Sequence, residues 1–204
     1  MKIVQKYSHL NGEEYLIVHH LDLYQEIKGV IDEIKAEQFK IEPGEGIRNK
    51  DKVFYNTTEL TKSFKTVFST KNWEEKRYQY YVTLDRALIK QSLSLPIKKQ
   101  KEFLMTHGDV RPILSHAKLD LVKDKVALEV QFNQYAFVAH DIFVKQMLFY
   151  HAGLINLGIE ILPTKNMQLL MSSGIAYFEG EVYNVMRHGR NNPPVPLLIL
   201  GVEP

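Results

Sequence analysis

The chain is built around the stretch Leu119-Asp-Leu-Val-Lys-Asp-Lys-Val-Ala-Leu-Glu-Val-Gln-Phe132. Its second half alternates between apolar residues and the polar Glu129 and Gln131, which is typical of a strand buried on one side. The polar Lys123-Asp-Lys125 predicts a turn, so the run before it is expected to be the partner strand of a hairpin. Such a hairpin brings Asp120 close to Glu129.

Two interpretations of these polar residues are open. Two carboxylates and a carboxamide on rigid strands are hard oxygen ligands suited to Mg²⁺, and a site of this kind can cut phosphodiesters. Alternatively, Glu129 and Gln131 form the solvated face of an edge strand. On spacing alone the second interpretation is favoured, because D-x8-E-x-Q often arises by chance. Asp124 is a weaker candidate ligand than Asp120 because it lies in the turn.

Composition limits the class of protein. The 204 residues predict a single domain, 1–204, with 45% hydrophobic and 25% charged residues, as is ordinary for a soluble globular protein. Cysteine is absent, which excludes disulfides and thiolate zinc sites. The N-terminus lacks the apolar core of a secretory signal, and the apolar run 196–202 is too short to span a bilayer, so we expect a cytoplasmic protein without a membrane partner. The net charge of +2 is weak evidence for nucleic-acid binding.

Periodicity and capping predict further elements on both sides of the hairpin. Before the hairpin we expect a strand at Lys2–Leu10 and helices from Asn11 to about 34 with a break near Leu21-Asp22. We expect a loop at Glu42–Lys52, followed by a helix over Leu60–Phe68 that is capped by Asn56. We then expect a strand at Tyr78–Leu84 and helices after Asp85 and Pro96. After the hairpin we expect a long apolar helix at Asp141–Leu157 and a strand at Gly158–Leu162. We then expect a helix over Asn166–Met171, a helical stripe from Ile175 that ends near Gly189, and a strand at Val195–Val202.

The order β-β-α-β-α-β from Leu119 onward predicts an α/β fold, with a mixed central β-sheet flanked by helices. The helix Asp141–Leu157 is apolar nearly all the way round. It is therefore expected to lie either inside the domain or against a second subunit.

The hairpin also carries a resemblance to a known family. Asp120, Glu129 and Gln131, followed by Phe132–Phe137, resemble the catalytic hairpin of the BglII and BstYI group of type II restriction endonucleases, in which the D-x(n)-E-x-K motif of the wider superfamily ends in Gln. Nearly the whole chain resembles this group, and its BstYI branch in particular, through the segments Tyr7–Gly12, Phe143–Lys145, Glu160–Pro163, Ser172–Gly174, Tyr177–Glu181 and Tyr183–Val185. The resemblance reverses the preference for a solvated strand face. It implies a restriction-endonuclease-like PD-(D/E)xK core at about 115–204 with N-terminal helical additions.

The resemblance also implies a function. We expect a Mg²⁺-dependent type II restriction endonuclease, part of a restriction-modification system, that cuts double-stranded DNA as a homodimer. Asp120 and Glu129 are expected to bind the metal, and Gln131 to orient a water molecule. Glu75 is the candidate for an upstream catalytic contributor, with Glu74 close behind, although a surface salt bridge explains either one equally well. The expected site is R^GATCY, cut to leave 5′ GATC overhangs.

Six residues are candidates for DNA contacts: Asn133, Gln134, Ser172, Ser173, Arg187 and Arg190. Carboxamides can pair with adenine in the major groove. The two serines are explained equally well as helix N-caps by their sequence position, but the resemblance favours Gln134 and Ser173 as base contacts. The arginines either contact DNA or are ordinary charges at a helix C-terminus. A non-catalytic DNA-binding protein on the same fold is the alternative function, and a hydrolase of small phosphate esters is a distant third.

Overall fold

The computed structural model describes residues 1–41, 54–108, 111–132, 135–172 and 174–204, and for residues 135 and 136 it describes the backbone only. The predicted loop Glu42–Lys52 and the candidate DNA contacts Asn133, Gln134 and Ser173 lie outside the described residues.

A mixed sheet forms the centre of the described fold. Its strand order is β1-β8-β7-β6-β5-β4, with β6, β7 and β8 parallel and every other neighbouring pair antiparallel. The strands are β1 Lys2–His9, β4 Glu74–Val82, β5 Ile113–Lys123, β6 Val126–Val130, β7 Leu157–Pro163 and β8 Leu197–Glu203. The strands β2 Lys40–Ile41 and β3 Phe54–Tyr55 pair separately. The predicted α/β class with a mixed central sheet is confirmed.

Helices cover both faces of this sheet. They are α1 Gly12–His19, α2 Leu21–Glu33, α3 Thr57–Thr70, α4 Arg86–Leu93, α5 Ile97–His107, α6 Tyr135–His140, α7 Gln146–His151, α8 Lys165–Gln168 and α9 Phe178–Arg187. Two predicted caps are present. The Asn56 side chain accepts from the Glu59 N–H, and the Asp85 side chain accepts from the Ala87 and Leu88 N–H groups. Each cap satisfies backbone donors that the first turn of a helix leaves unpaired.

The predicted hairpin consists of β5 and β6. Its turn residues Asp124 and Lys125 have φ of 48° and 62°, the left-handed conformation that a tight two-residue hairpin turn requires. Lys123 pairs with Val126, and Leu121 pairs with Leu128. Strand β5 begins at Ile113, earlier than the sequence indicated, because β4 pairs along its first half.

The long helix after the hairpin differs from its prediction. Helical structure runs from Tyr135 to His151 rather than from Asp141 to Leu157, and Asp141–Lys145 form a π-helical turn between α6 and α7. Gly153 follows the helix with a φ of 68°, and Leu157 pairs with Val126 as the first residue of β7. The apolar residues at the predicted end of the helix therefore belong to a strand and its approach, which periodicity alone does not separate from a helix.

Apolar cores lie on opposite sides of the sheet. On one side, α2 and α3 pack on alternate strand residues, among them Leu128, Ile159 and Leu198. On the other side, the α6 segment and α9 pack on Leu197 and Ile199. The alternation of strand residues between the two faces accounts for this division. None of the described helices is long and apolar enough to cross a membrane.

Candidate active site

The hairpin brings the two predicted metal-binding carboxylates together. The Asp120 N–H donates to Oε1 of Glu129 at 3.3 Å. Glu129 is 1% exposed, whereas the Asp120 side chain is 21% exposed. The sequence therefore places one carboxylate inside the protein and the other at its rim, on neighbouring strands.

Gln131 extends the same strand face beyond the end of β6. Its backbone N–H donates to the Ile161 carbonyl at 3.0 Å, and its side chain is buried. The side-chain Nε2 donates to Oδ2 of Asp141 in the π-helical turn. Because a carboxylate only accepts hydrogen bonds, this contact fixes which end of the amide faces Asp141 and leaves Oε1 of Gln131 as the acceptor on the other side.

Two lysines neutralise Asp120. Lys65 of α3 contacts Oδ2, and Nζ of Lys118 lies 3.2 Å from Oδ1. Burial alone would raise the pKa of Asp120, but the hydrogen bonds and charges of these two lysines outweigh burial and lower it. Asp120 is therefore an anion at neutral pH.

Glu75 joins this group through Lys118. Nζ of Lys118 lies 3.0 Å from Oε2 of Glu75, whose side chain is 57% exposed. The pairing of β4 with β5 shifts register between Glu74 and Lys76, so Glu75 lies at an irregularity in the ladder. Bulges of this kind redirect a side chain and are common beside active sites. Glu75 is thus one lysine away from Asp120 and does not contact it directly.

Lys145 is the cation beside the buried carboxylate. Its Nζ lies 3.3 Å from Oε1 of Glu129 and 2.7 Å from Oδ1 of Asp141. Burial raises the pKa of Glu129 to about 7; Lys145 opposes this rise, while the charges of Asp141 and Asp120 add to it. Burial likewise raises the pKa of Asp141. Burial alone would lower the pKa of Lys145, but the two carboxylates outweigh it and raise that pKa.

A further carboxyl group lies deeper on the same face. Glu160 of β7 pairs in register with Glu129 of β6 and is fully buried. Nε2 of Gln146 donates to Oε1 of Glu160 at 2.6 Å. Within the described part of the chain, Oε2 of Glu160 and Oε1 of Gln146 have no hydrogen-bond partner. Burial raises the pKa of Glu160 well above its usual value, which favours the protonated form of this carboxyl group.

The donor set fits Mg²⁺. This ion is usually held by one or two protein carboxylates, with water and substrate phosphate oxygens completing its octahedron. Asp120 and Glu129 supply two such carboxylates. Among the described residues no group of three or more Asp, Glu or His side chains is arranged to hold a metal ion. A site of two carboxylates leaves positions for water and phosphate, which is compatible with metal-assisted phosphodiester cleavage.

The other sequence candidates lie away from this pair. Ser172 is exposed. Arg187 ends α9, with its guanidinium 5.7 Å from the centre of the Tyr183 ring, and Arg190 follows it at the surface. No described hydrogen bond or ion pair joins these three residues to the hairpin carboxylates. Asp124 lies at the turn of the hairpin, as expected, and stays outside the carboxylate group.

Sequence reasoning missed the residues that complete the site: Lys65, Lys118, Asp141, Lys145, Gln146 and Glu160. One local signal was present, because Glu160 interrupts an otherwise apolar strand and a buried charge requires a specific partner. Lys145 belongs to the segment Phe143–Lys145 that carries the resemblance, but sequence reasoning assigned neither it nor Asp141 a role in the site. Their contacts with the hairpin depend on packing between distant segments.

Comparisons with known proteins identify a matching family and similar folds. Residues 4–202 match the family model described as restriction endonuclease BglII/BglIII. The fold resembles restriction endonuclease BglII complexed with a DNA 16-mer, with a TM-score of 0.66, 15% identity, and coverage of 100% of this chain and 79% of that one. It also resembles free BglII, with a TM-score of 0.58, 18% identity, and coverage of 100% and 80%. No curated protein matches the chain in sequence.

Proposed function

The chain belongs to the BglII/BglIII family of restriction endonucleases, and from this premise we propose that it cuts palindromic double-stranded DNA in a Mg²⁺-dependent reaction. As a member it is a site-specific deoxyribonuclease of type II. The metal-dependent mechanism rests on one observation: Asp120 and the buried Glu129 lie on adjacent strands. Incubating the pure protein with plasmid DNA and Mg²⁺ tests it: discrete fragments support the proposal, whereas DNA retardation without cutting, or no effect, contradicts it.

Each site residue has a distinct proposed role. Asp120 and Glu129 would hold Mg²⁺, which when bound lowers the pKa of a water ligand and neutralises charge on the phosphate. Gln131 carries no charge, but its Nε2 is engaged by Asp141, so Oε1 is turned to accept a hydrogen bond from the attacking water. Glu75 remains the proposed upstream contributor, and it acts on Asp120 through Lys118.

A groove that includes Lys65, the ion-pair partner of Asp120, supports binding of the DNA backbone. It has a volume of about 730 Å³ and follows one side of α3, and the residues that line it carry hydroxyl or ammonium groups: Thr58, Thr61, Lys62, Lys65, Thr66, Ser69 and Thr70. Hydroxyl and ammonium groups are the usual partners of phosphate oxygens. Because Lys65 belongs to both the groove and the Asp120 ion pair, the groove leads directly to the candidate metal site.

We propose purine-GATC-pyrimidine as the recognition site, cut to leave 5′ GATC overhangs. The proposal rests on the sequence resemblance and on Gln134 and Ser173, which lie outside the described residues. A carboxamide or a hydroxyl can donate or accept, so either can serve both purines at one position, whereas a rigid bidentate contact would discriminate by roughly 1–3 kcal/mol. Asn133, Ser172, Arg187 and Arg190 remain proposed DNA contacts.

Digestion of matched duplexes carrying AGATCT, GGATCC and AGATCC tests this specificity. We expect comparable cleavage rates on all three, because the outer base pair is read by a contact that tolerates both purines. Cutting confined to AGATCT would refute the degeneracy, and cleavage of none would refute the GATC core. Run-off sequencing of the cut ends checks the 5′ overhang.

We also propose a two-fold homodimer, because cutting both strands of a palindrome requires two active sites related by a two-fold axis. The helical segment Tyr135–His151 supports this, since Phe137 and Val144 on it are 57% and 49% exposed. Val144 also lines an apolar cavity of about 320 Å³ between this segment, β4 and α4. Exposed apolar surface of this kind is typical of an interface.

Sedimentation velocity, with and without DNA, measures the assembly state. We expect a dimer for the natural chain and a shift toward monomer for Val144→Glu, because a charge at an apolar interface is costly to bury. Met105→Glu, at an equally exposed apolar residue of α5, is the matched control and should leave the dimer intact. A stable monomer of the natural chain under both conditions would contradict the proposal.

The remaining elements of the proposal concern the cellular setting. We propose one catalytic domain spanning 1–204, located in the cytoplasm, where its DNA substrate is found. A methyltransferase that modifies the same site would protect the host DNA, as a restriction-modification system requires.

A further inference from the structure

The hairpin motif of this chain lacks a positive charge. Gln131 occupies the position where the wider D-x(n)-E-x-K motif carries lysine, and a carboxamide cannot act as a cation. The structure nevertheless places an ammonium group beside the same carboxylate. Nζ of Lys145 lies 3.3 Å from Oε1 of Glu129, although the two residues are 16 positions apart in the chain.

Lys145 is held more firmly than the other lysines of the site. Its side chain is 18% exposed, whereas those of Lys65 and Lys118 are 40% and 47% exposed. It contacts two carboxylates at once, Glu129 and Asp141, so its ammonium has little freedom to move. The two exposed lysines both lie on Asp120, at the rim of the site. Lys145 is therefore the lysine of the site that pairs with its buried carboxylates, and one of these, Asp141, also contacts Gln131.

The π-helical turn Asp141–Lys145 sets up this arrangement. A π turn is wider than an α-helical turn, and such turns occur mostly as local features at functional sites. Here it directs Asp141, Lys145 and the following Gln146 toward the sheet, where Asp141 and Gln146 are buried. Gln146 packs tightly on β7, because a Cβ atom added at Gly158 would lie 1.7 Å from its Oε1. Glycine at position 158 therefore leaves the space that the Gln146 side chain occupies.

We infer that Lys145 is a positioning residue for cleavage, an inference that rests on the proposed function. It acts through two contacts. Directly, its ammonium holds the carboxylate of Glu129. Indirectly, it neutralises Asp141, which in turn holds Nε2 of Gln131 and so sets the direction of the Gln131 carbonyl oxygen. The helical segment thereby supplies, through Lys145, the positive charge that the strand motif lacks at Gln131.

Without Lys145, two buried carboxylates would face each other with no cation between them. Their repulsion would separate Asp141 from Glu129 and release the amide of Gln131. A displacement of about 1 Å in a positioning group can slow a reaction by about 10²-fold. Metal binding should respond differently, because removing an ammonium 3.3 Å from Glu129 also removes a charge that repels the metal ion.

The test uses Lys145→Met, which keeps the length and apolar volume of the side chain, and Lys145→Arg, which keeps the charge. Single-turnover cleavage is measured with Mg²⁺, and binding of Mn²⁺ alone is followed by the electron paramagnetic resonance of the free ion. We expect Lys145→Met to cut about 10²-fold more slowly while binding Mn²⁺ at least as tightly as the natural protein. Lys145→Arg should recover part of the rate. Lys6→Met, which removes an ion-paired lysine from the edge strand β1, should change neither property.

The outcomes separate this inference from the proposed function. If the natural protein does not cut DNA, the proposed function fails. If it cuts and Lys145→Met cuts equally fast, only the inference about Lys145 is wrong. A rate loss accompanied by weakened Mn²⁺ binding would also overturn it, because that pattern describes a lysine that merely supports the fold of the metal site. Should Lys145→Met not fold, as judged by circular dichroism, Asp141→Leu carries the same test, because it removes the acceptor of Gln131 Nε2. A rate loss without weaker Mn²⁺ binding would support the inference, and an unchanged rate would overturn it.

Discussion

Asp120→Asn and Glu129→Gln are each expected to reduce DNA cleavage by on the order of 10³-fold or more, because each removes one of only two protein carboxylates proposed to hold Mg²⁺. Specific DNA binding should persist, since it depends on contacts to phosphates and bases rather than on the metal. Asp120→Asn also releases Lys65 from its ion pair, whereas Lys118 keeps its ion pair with Glu75. Lys65 can then contact phosphate, so DNA affinity should be equal to or higher than that of the natural protein.

The measurement combines single-turnover cleavage in Mg²⁺ with DNA retardation in its absence. Glu102→Gln, an exposed carboxylate on α5, is the control and should cut normally. Glu75→Gln tests the proposed upstream contributor, and we expect a smaller loss than at Asp120 because Glu75 reaches that residue only through Lys118. Normal cleavage by Asp120→Asn would show that this carboxylate is not a metal ligand.

The same two carboxylates should affect the stability of the metal-free protein in opposite directions. The pKa of Glu129 rises from 4.5 to about 7 on folding, so the folded state favours its protonated form. This stabilising contribution is fully present below pH 4.5 and is lost as pH rises to about 7. Above that pH, holding the ionised group inside the protein lowers the free energy of unfolding by on the order of 3 kcal/mol. Glu129→Gln should therefore stabilise the protein more at pH 8 than at pH 5.

Asp120 should show the reverse behaviour. Its pKa is lowered by Lys65 and Lys118 despite partial burial, so its contribution is present above its usual pKa of 3.8 and disappears as pH falls through the lowered value. Asp120→Asn should therefore destabilise the protein at neutral pH and have little effect in strong acid. Urea unfolding in the presence of EDTA at several pH values measures both variants. A Glu129→Gln effect independent of pH would mean that this carboxylate has an ordinary pKa.

Stability and activity thus oppose each other at Glu129. An ionised, buried carboxylate lowers the stability of the metal-free protein. The same burial strengthens its attraction to a bound cation, because charges interact more strongly away from water. Natural proteins accept such a cost at functional sites. Glu129→Gln, expected to be both more stable and inactive, separates the two effects in one variant.

Local sequence patterns predicted much of the fold. The alternation around Glu129 predicted β6, the polar turn predicted the hairpin, and Asn56 and Asp85 predicted two helix starts. Each of these signals involves residues a few positions apart, so each can be recognised without knowing the rest of the structure. The same locality explains the error at Asp141–Leu157, where an apolar run is compatible with either a helix or a buried strand.

The residues of the candidate site also differ in whether local sequence patterns could predict them. Asp120, Glu129 and Gln131 were proposed from the sequence because one hairpin holds all three, and across that hairpin the Asp120 N–H donates to Oε1 of Glu129. Lys65 and Lys145 reach that hairpin from helices on opposite sides of the sheet, 55 and 16 residues away from their carboxylate partners. Glu160 joins it through a parallel strand that requires a helical crossover. Contacts of this kind depend on how whole elements pack, so the charges that tune the site became visible only in the folded chain.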